Sequence, residues 1–379
     1  MTERRYEYAP AGTLPGLLQR GRGLGALMAA EDPTAAADLV YGCVRWDWRW
    51  DTQVDHRALY LARLLRDLEL PLGPVVEVLA GDEDACMRAT GVLELLALGG
   101  SAEARDALRA YVREGEHRVD VRTQGDLPGA RGRRAGARGP RGVMDPVPER
   151  DSASLLALLA DPGAAENARA TALVALSCRK PEPGLIPLVP TLGSGDDSRP
   201  LPRLGRAVAL LGAQAVPAAR EWAGSDRPWL ACLGVAVLSE HGGEGDLRMV
   251  TGELERRWVA QEWCGPMYSA RGLTRFGPRA AGAASLLRRF WLWTPHSYER
   301  PAYLEALAAI GSAGMAEVYT ECLWDCEADA RLLAVRHAPD RPHVRERLAC
   351  LRDDPMEEPE VRQAARVRLE GTAGARVDG

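Results

Sequence analysis

The sequence predicts an all-α chain: an α-solenoid in which antiparallel helix pairs stack one on the next. Three observations carry that prediction. A short phrase recurs, as Met87-Arg88-Ala89-Thr90-Gly91-Val92-Leu93-Glu94-Leu95, as Ala168-Arg169 to Leu176, as Ala330-Arg331 to Val335 and as Val361-Arg362 to Leu369. Between its copies, apolar stripes at helical spacing close on a glycine or another breaker. Strand signals are nearly absent, with few β-branched runs and no Asn-Gly between alternating segments.

Composition excludes several classes. With 379 residues, 46% apolar and 27% charged, the chain has ample material for a packed core and is not of a disordered type. A net charge of −5 argues against a protein that coats nucleic acid and against an acidic membrane surface as partner. Lys180 is the single lysine, and ten Trp stand against two Phe, so arginine excess reflects GC-rich codons before it reflects chemistry. Eight cysteines are thinly spread, and the polar start MTERRYEYAPAG has no apolar leader, so buried thiols in a reducing cytoplasm are expected. No apolar run approaches membrane-spanning length, so no transmembrane helix is expected.

Along the chain, residues 1–32 read as a loose, partly disordered N-terminal extension, with YAPAGTLPG and RGRGLG breaking any period. Residues 33–117 hold the first repeats, one of them Asp55 to Leu70. Acidic turns precede the recurring phrase, at Gly81-Asp82-Glu83-Asp84, Asp161-Pro162-Gly163, Asp325 to Asp329 and Asp353-Asp354-Pro355. Asp caps free N–H groups at a helix start and Pro pre-sets φ there. Arg88, Arg169, Arg331 and Arg362 then sit early in their helices, and pairing with these turns gives them a repeat-structural role.

Residues 118–150 break the array. Five Arg and no acid fall within 131–142, among Gly and Pro. Three readings compete: an inert disordered linker, a basic arm, or a local reading-frame error, since out-of-frame GC-rich codons yield Arg, Gly, Pro and Ala. Over 151–370 the repeats resume. If Leu176, Leu211, Leu238, Phe276 and Ile310 are equivalent, their spacings are 35, 27, 38 and 34 residues. Shorter amphipathic pieces follow them, at Pro183 to Leu192, Val216 to Trp222, Leu247 to Trp258, Ala281 to Trp293 and Met315 to Trp324. The last repeat, rich in Glu357, Glu358, Glu360, Arg362, Arg366 and Arg368, reads as a polar terminal cap, and 371–379 as a disordered tail.

These phrases resemble the HEAT repeat, particularly the short HEAT-like repeat of bacterial proteins and of phycobilisome-lyase-type domains. The best match runs from Asp354-Pro355 through Pro359-Glu360-Val361-Arg362 to Leu369, and the likeness extends over roughly 55–112 and 151–370. It implies a HEAT/armadillo-like superhelix with a concave surface for a partner, and no catalytic activity.

Few residues stand out as chemistry. In Trp46-Asp47-Trp48-Arg49-Trp50, three Trp alternate with charges. They form an aromatic platform for a partner or, on the plainer reading, pack beneath the first repeat. The second aromatic cluster, with Trp291, Trp293 and Tyr298 flanked by Arg288, Arg289 and Arg300, offers a partner-binding rim or inter-repeat packing. Cys322, Cys326, His337 and His343 approach a Cys2His2 zinc spacing, but the ββα context is missing, so no metal is assigned. No nucleophile elbow or phosphate loop is present, and no catalytic residue or cofactor is assigned.

The sequence therefore predicts a non-enzymatic cytoplasmic scaffold that holds a protein partner on its concave face. The alternative is a nucleic-acid binder or a HEAT-like DNA glycosylase. Such enzymes resemble this chain in architecture and use Trp and Asp around an extruded base, but the net charge disfavours a phosphate-binding groove.

Overall fold

A computed structural model describes residues 7–49, 55, 57–114 and 150–374. Trp50 and all but Arg150 of the 118–150 insert lie outside the described residues, so their expected roles are not placed. The protein is all-α: the described residues form twenty α-helices and five 3-10 helices, with no strand among them and one isolated β-bridge between Gly193 and Pro200. No described helix is long and apolar enough to cross a membrane.

Of the acidic turns singled out, the one at Asp82 caps its helix as predicted, whereas Glu166–Leu176 and Ala328–His337 start at Ala165 and Glu327 with no side-chain cap. Asp32 caps the Pro33–Arg45 helix, its side chain accepting from the Ala35 N–H, and Pro33 opens it. Asp82 caps Glu83–Leu98 through the Ala85 N–H, and Asp151 caps Ser152–Ala160 through that of Ser154. The apolar stripes that hold Leu211, Leu238, Phe276 and Ile310 coincide with or adjoin the helices Leu204–Ala209, Pro228–His241, Pro266–Thr274 and Arg300–Ile310. Their shorter companions are also found, with one difference. Pro183–Thr191 is a 3-10 helix, because Pro187 and Pro190 have no N–H to give to an α-helical ladder.

Helices pack mainly on their neighbours in sequence, such as Val216–Ala223 on Pro228–His241 and Pro342–Asp353 on Pro359–Gly374. The chain divides into two compact units. One comprises Met1–Gly132, Arg289–Leu304 and Ser312–Gly379; the other comprises Arg133–Arg288 and Glu305–Gly311. The expected array of sequence neighbours does not anticipate the first unit, where sequence-distant helices share one core.

Two expectations about the termini are corrected. Residues 14–31, predicted within a loose extension, form the helices Leu14–Gln19 and Gly23–Glu31, with Leu17, Leu18 and Arg22 buried. The last helix, Pro359–Gly374, carries past the predicted start of the tail at 371. The polar cap is also part core: Glu360 and Arg366 are exposed, but Glu357 is 3% exposed, because it meets arginines of other helices.

Candidate functional site

Within the first unit, an ionic junction joins the N-terminal helices to residues 291–357. Arg22 donates to Glu321 at 3.0 and 2.6 Å and to the Trp291 carbonyl at 2.9 Å, and its guanidinium lies 3.8 Å from the Trp291 ring centre. Arg20 reaches the Trp293 carbonyl, and Arg300 donates to the Arg20 carbonyl and to Asp325 at 2.6 Å. Arg63 bridges Asp354 and Glu357 at 2.9 and 3.0 Å, and Arg331 grips Glu357 with two hydrogen bonds. The backbone closes tightly here. The Cys326 N–H donates to the Gly21 carbonyl at 2.9 Å, and a Cβ on Gly23 would stand 1.9 Å from the Glu321 oxygen. The RGRG string is thus a docking element, with glycines for close approach and arginines for buried carboxylates and carbonyls.

Asp55, His296 and Ser297 meet in this junction, and sequence reading missed them. Asp55 Oδ1 accepts from the Ser297 N–H at 2.7 Å and from its hydroxyl at 2.9 Å, and His296 Nδ1 lies 3.5 Å from Asp55 Oδ2. These are the residue types of a hydrolase triad, but all three are at most 1% exposed and the Ser297 hydroxyl also bonds Glu327. Spending the serine on two carboxylates makes a structural knot rather than a nucleophile. No sequence signal could have joined positions 55 and 297.

Of the recurring arginines, Arg331 reaches back to its own acidic turn, and the others mainly serve backbone carbonyls elsewhere. Arg88 donates to the Val44 and Arg45 carbonyls at 3.1 and 2.7 Å, Arg169 to Thr191, Arg362 to Arg352, and Arg331 to Asp325 and Cys326. Arg88, Arg169 and Arg362 thereby satisfy carbonyls where a helical segment ends, which have no partner inside the helix, while Arg331 ties down the turn after Met315–Cys322. Arg331 alone adds a carboxylate at hydrogen-bond distance; Arg88 stands 3.8 Å from Asp47.

The aromatic candidates separate. Trp46 is 51% exposed, Trp293 40%, and Tyr298 is half-buried with its ring 5.0 Å from His296. Trp291 is corrected: at 3% exposure beneath Arg22 it is core, not rim. Arg300, taken as a flank of that cluster, is fully buried on Asp325. Cys322 and Cys326 are buried, His337 packs on Tyr319, and His343 is exposed. No group of three or more metal-ligating side chains occurs among the described residues.

Trp48 is half-buried and lines a cavity of about 300 Å³. Four helices and the segment after one of them build it. Pro33–Arg45 gives Cys43, and the chain leaving it gives Asp47, Trp48 and Arg49. Ala58–Asp67 gives Ala58 and Leu61, with Arg57 just before it, and Glu83–Leu98 gives Asp84, Met87, Arg88, Gly91 and Val92. Leu18 and Gln19 come from the first helix. Arg49 holds Asp47 with hydrogen bonds of 2.9 and 2.7 Å. Burial pushes the Asp47 carboxyl up, but Arg49 outweighs it and keeps the group below its ordinary value. Burial also lowers Arg88, against the pull of Asp47.

Compared with known proteins, the chain matches no family model, no curated protein and no solved structure.

Proposed function

We propose that this chain is a HEAT-type helical-repeat protein of the cytoplasm, its helix pairs stacked as a solenoid, that binds a protein partner and catalyses no reaction. The observation that carries the reading is the Trp48 cavity. It has an apolar floor, a charged rim, and exposed Trp46 and Met87 beside it, and such concave, mostly apolar sites with a few placed charges are where ligands bind. The buried acids and bases of the junction support it from the other side. Arg300 is spent on Asp325, Arg331 on Glu357 and Ser297 on Asp55, as a fold requires.

The test is affinity capture from the native host with the intact chain and with Trp48→Ala. A partner recovered by the wild type and lost by the variant, at unchanged thermal stability, supports the reading. Equal recovery by both moves recognition away from the cavity. The nucleic-acid alternative draws on Arg49, Arg57 and Arg88 beside Trp48. Duplex DNA binding at low salt that falls steeply with added salt would favour it instead.

A further inference from the structure

We infer that a second, smaller cavity of the first unit binds a small carboxylate, a monoanion held by Arg347 with Arg63 beside it. This cavity shares no lining residue with the Trp48 cavity, so the inference stands whether or not a partner binds at Trp48.

Arg347, on the Pro342–Asp353 helix, is a buried cation with no anion in contact. It is 7% exposed, and burial, with the charge of Arg63 second, brings its pKa down to about 10. Its contacts among the described residues are an Nε–H bond to the Leu323 carbonyl at 3.3 Å and the Trp324 ring, whose centre is 4.8 Å away. Its two terminal nitrogens make no hydrogen bond, and neither is sealed from solvent, since the side chain lines a cavity of about 60 Å³. Arg63, 6% exposed on the Ala58–Asp67 helix, lines the same cavity. It gives Nε and Nη2 to Asp354 and Glu357, which leaves its Nη1 without a bond.

The surrounding ion pairs do not supply the missing charge. Arg63, Arg66 and Arg331 are matched by Asp67, Asp354 and Glu357, three against three. The two acids of the lining are engaged, Asp67 by Arg66 at 2.7 Å and Asp325 by Arg300 at 2.6 Å. Arg347 is the positive charge left over. A buried guanidinium with open donors and no counter-ion is costly, and an entering anion supplies both.

Shape and charge narrow that anion. Two terminal nitrogens of one guanidinium present a fork that fits the two oxygens of a carboxylate. About 60 Å³ corresponds to roughly two waters at their share of liquid volume, which a carboxylate group replaces and a ring exceeds. One surplus positive charge suits a monoanion and opposes the second charge of a phosphate. Ala30 and Asp67, exposed members of the lining, mark the mouth. A free acid of acetate size and an acidic side chain of a partner both carry this chemistry.

Isothermal titration calorimetry on the full chain, in a chloride-free sulfonate buffer, separates these cases. The probes are acetate, acetamide, benzoate, chloride, and the peptides acetyl-Gly-Glu-Gly-amide and acetyl-Gly-Gln-Gly-amide. Acetate or the Glu peptide is expected to bind with a Kd of about 10 mM or tighter, with its amide counterpart, benzoate and chloride at least about tenfold weaker. Tighter binding of the Glu peptide assigns the site to an acidic side chain, and tighter binding of acetate assigns it to a free acid. Arg347→Gln removes a charge that has no counter-ion, so it is expected to abolish binding at unchanged or raised thermal stability. Ala30→Leu is the second variant. It keeps both arginines, narrows the cavity from an exposed position, and is expected to weaken binding at least about tenfold at unchanged thermal stability.

No saturation by acetate or the Glu peptide at about 50 mM, acid and amide binding alike, or benzoate or chloride binding as tightly as acetate would each overturn the inference. Binding unaltered in Arg347→Gln overturns it too, and should that variant fail to fold, binding unaltered in Ala30→Leu does so in its place.

Discussion

Arg331 and Glu357 face each other through two hydrogen bonds, of 2.8 and 2.6 Å, with neither side chain more than 1% exposed. Arg63 closes on the same carboxylate from the N-terminal helices at 3.0 Å. Removing one member strands the others' charge in the core. Glu357→Ala is therefore expected to cost about 3–5 kcal/mol in urea unfolding. An apolar pair, Arg331→Met with Glu357→Leu, should recover much of that loss, although Arg63 keeps Asp354 as its only carboxylate. Equal stability of Glu357→Ala and wild type would show that the junction is not formed in solution.

Gly23 tests the same junction through shape alone. A methyl group there would collide with the Glu321 carbonyl oxygen. Gly23→Ala is expected to destabilise by about 1–3 kcal/mol. Gly42, inside the Pro33–Arg45 helix with nothing within 4 Å of its Cβ position, is the control. Gly42→Ala should stabilise by about 0.5–1 kcal/mol, because alanine loses less backbone freedom in a helix. Thermal melts of both variants decide whether close approach, not helix propensity, governs position 23.

Acid should weaken the protein through two carboxylates. Burial pushes Asp55 up, but the hydrogen bond from His296, the charge of Arg57 and the Ser297 donors outweigh it and hold the group at about 2. Burial likewise raises Glu357, and Arg331 and Arg63 bring it down to about 2. A depressed folded value stabilises above the unfolded one and is lost as pH falls through the folded one. The expected loss lies between about pH 5 and pH 2 and amounts to about 2–3 kcal/mol per group. Glu327, raised by burial, works in the opposite direction: its contribution is present at low pH and is lost as pH rises through its folded value. Urea midpoints against pH should therefore fall steeply below pH 5, and Asp55→Asn should flatten the fall.

Thiol reactivity should divide along burial. Cys178, Cys264 and Cys350 are exposed, whereas Cys86, Cys322 and Cys326 are buried. Burial raises the Cys322 and Cys326 thiols, and pushes Cys43 up to about 12. Because the thiolate is the reactive form, iodoacetamide at pH 8 should label the exposed three rapidly and the buried three only after denaturation. Peptide mass spectrometry reads the order directly. Early labelling of Cys326 would mean that its packing on Gly21 opens in the native state.

Much of the secondary structure was legible. Apolar period and breakers located the helices from Leu204 to Ile310, and the acidic turn at Asp82 announced a capped start, because these signals are local and physical. The Pro183–Thr191 segment was legible as helical but not as 3-10, since its geometry turns on which N–H groups its two inner prolines withhold. Trp48 and Arg88 were singled out, and they do meet, at one cavity. Arg57, which completes it, carries no motif: an arginine before a helix is ordinary until its surroundings are known.

What the sequence determined by itself is the all-α class and the positions of most helices. Those follow from spacing and capping within a turn or two of chain. Tertiary structure alone decided that RGRG is a docking element rather than a loose end, and that Glu357 is core rather than cap. It also decided that the recurring arginines serve carbonyls more than acids. In each case a charged or flexible residue type predicts exposure, and only a partner some 20 to 300 positions away makes burial affordable.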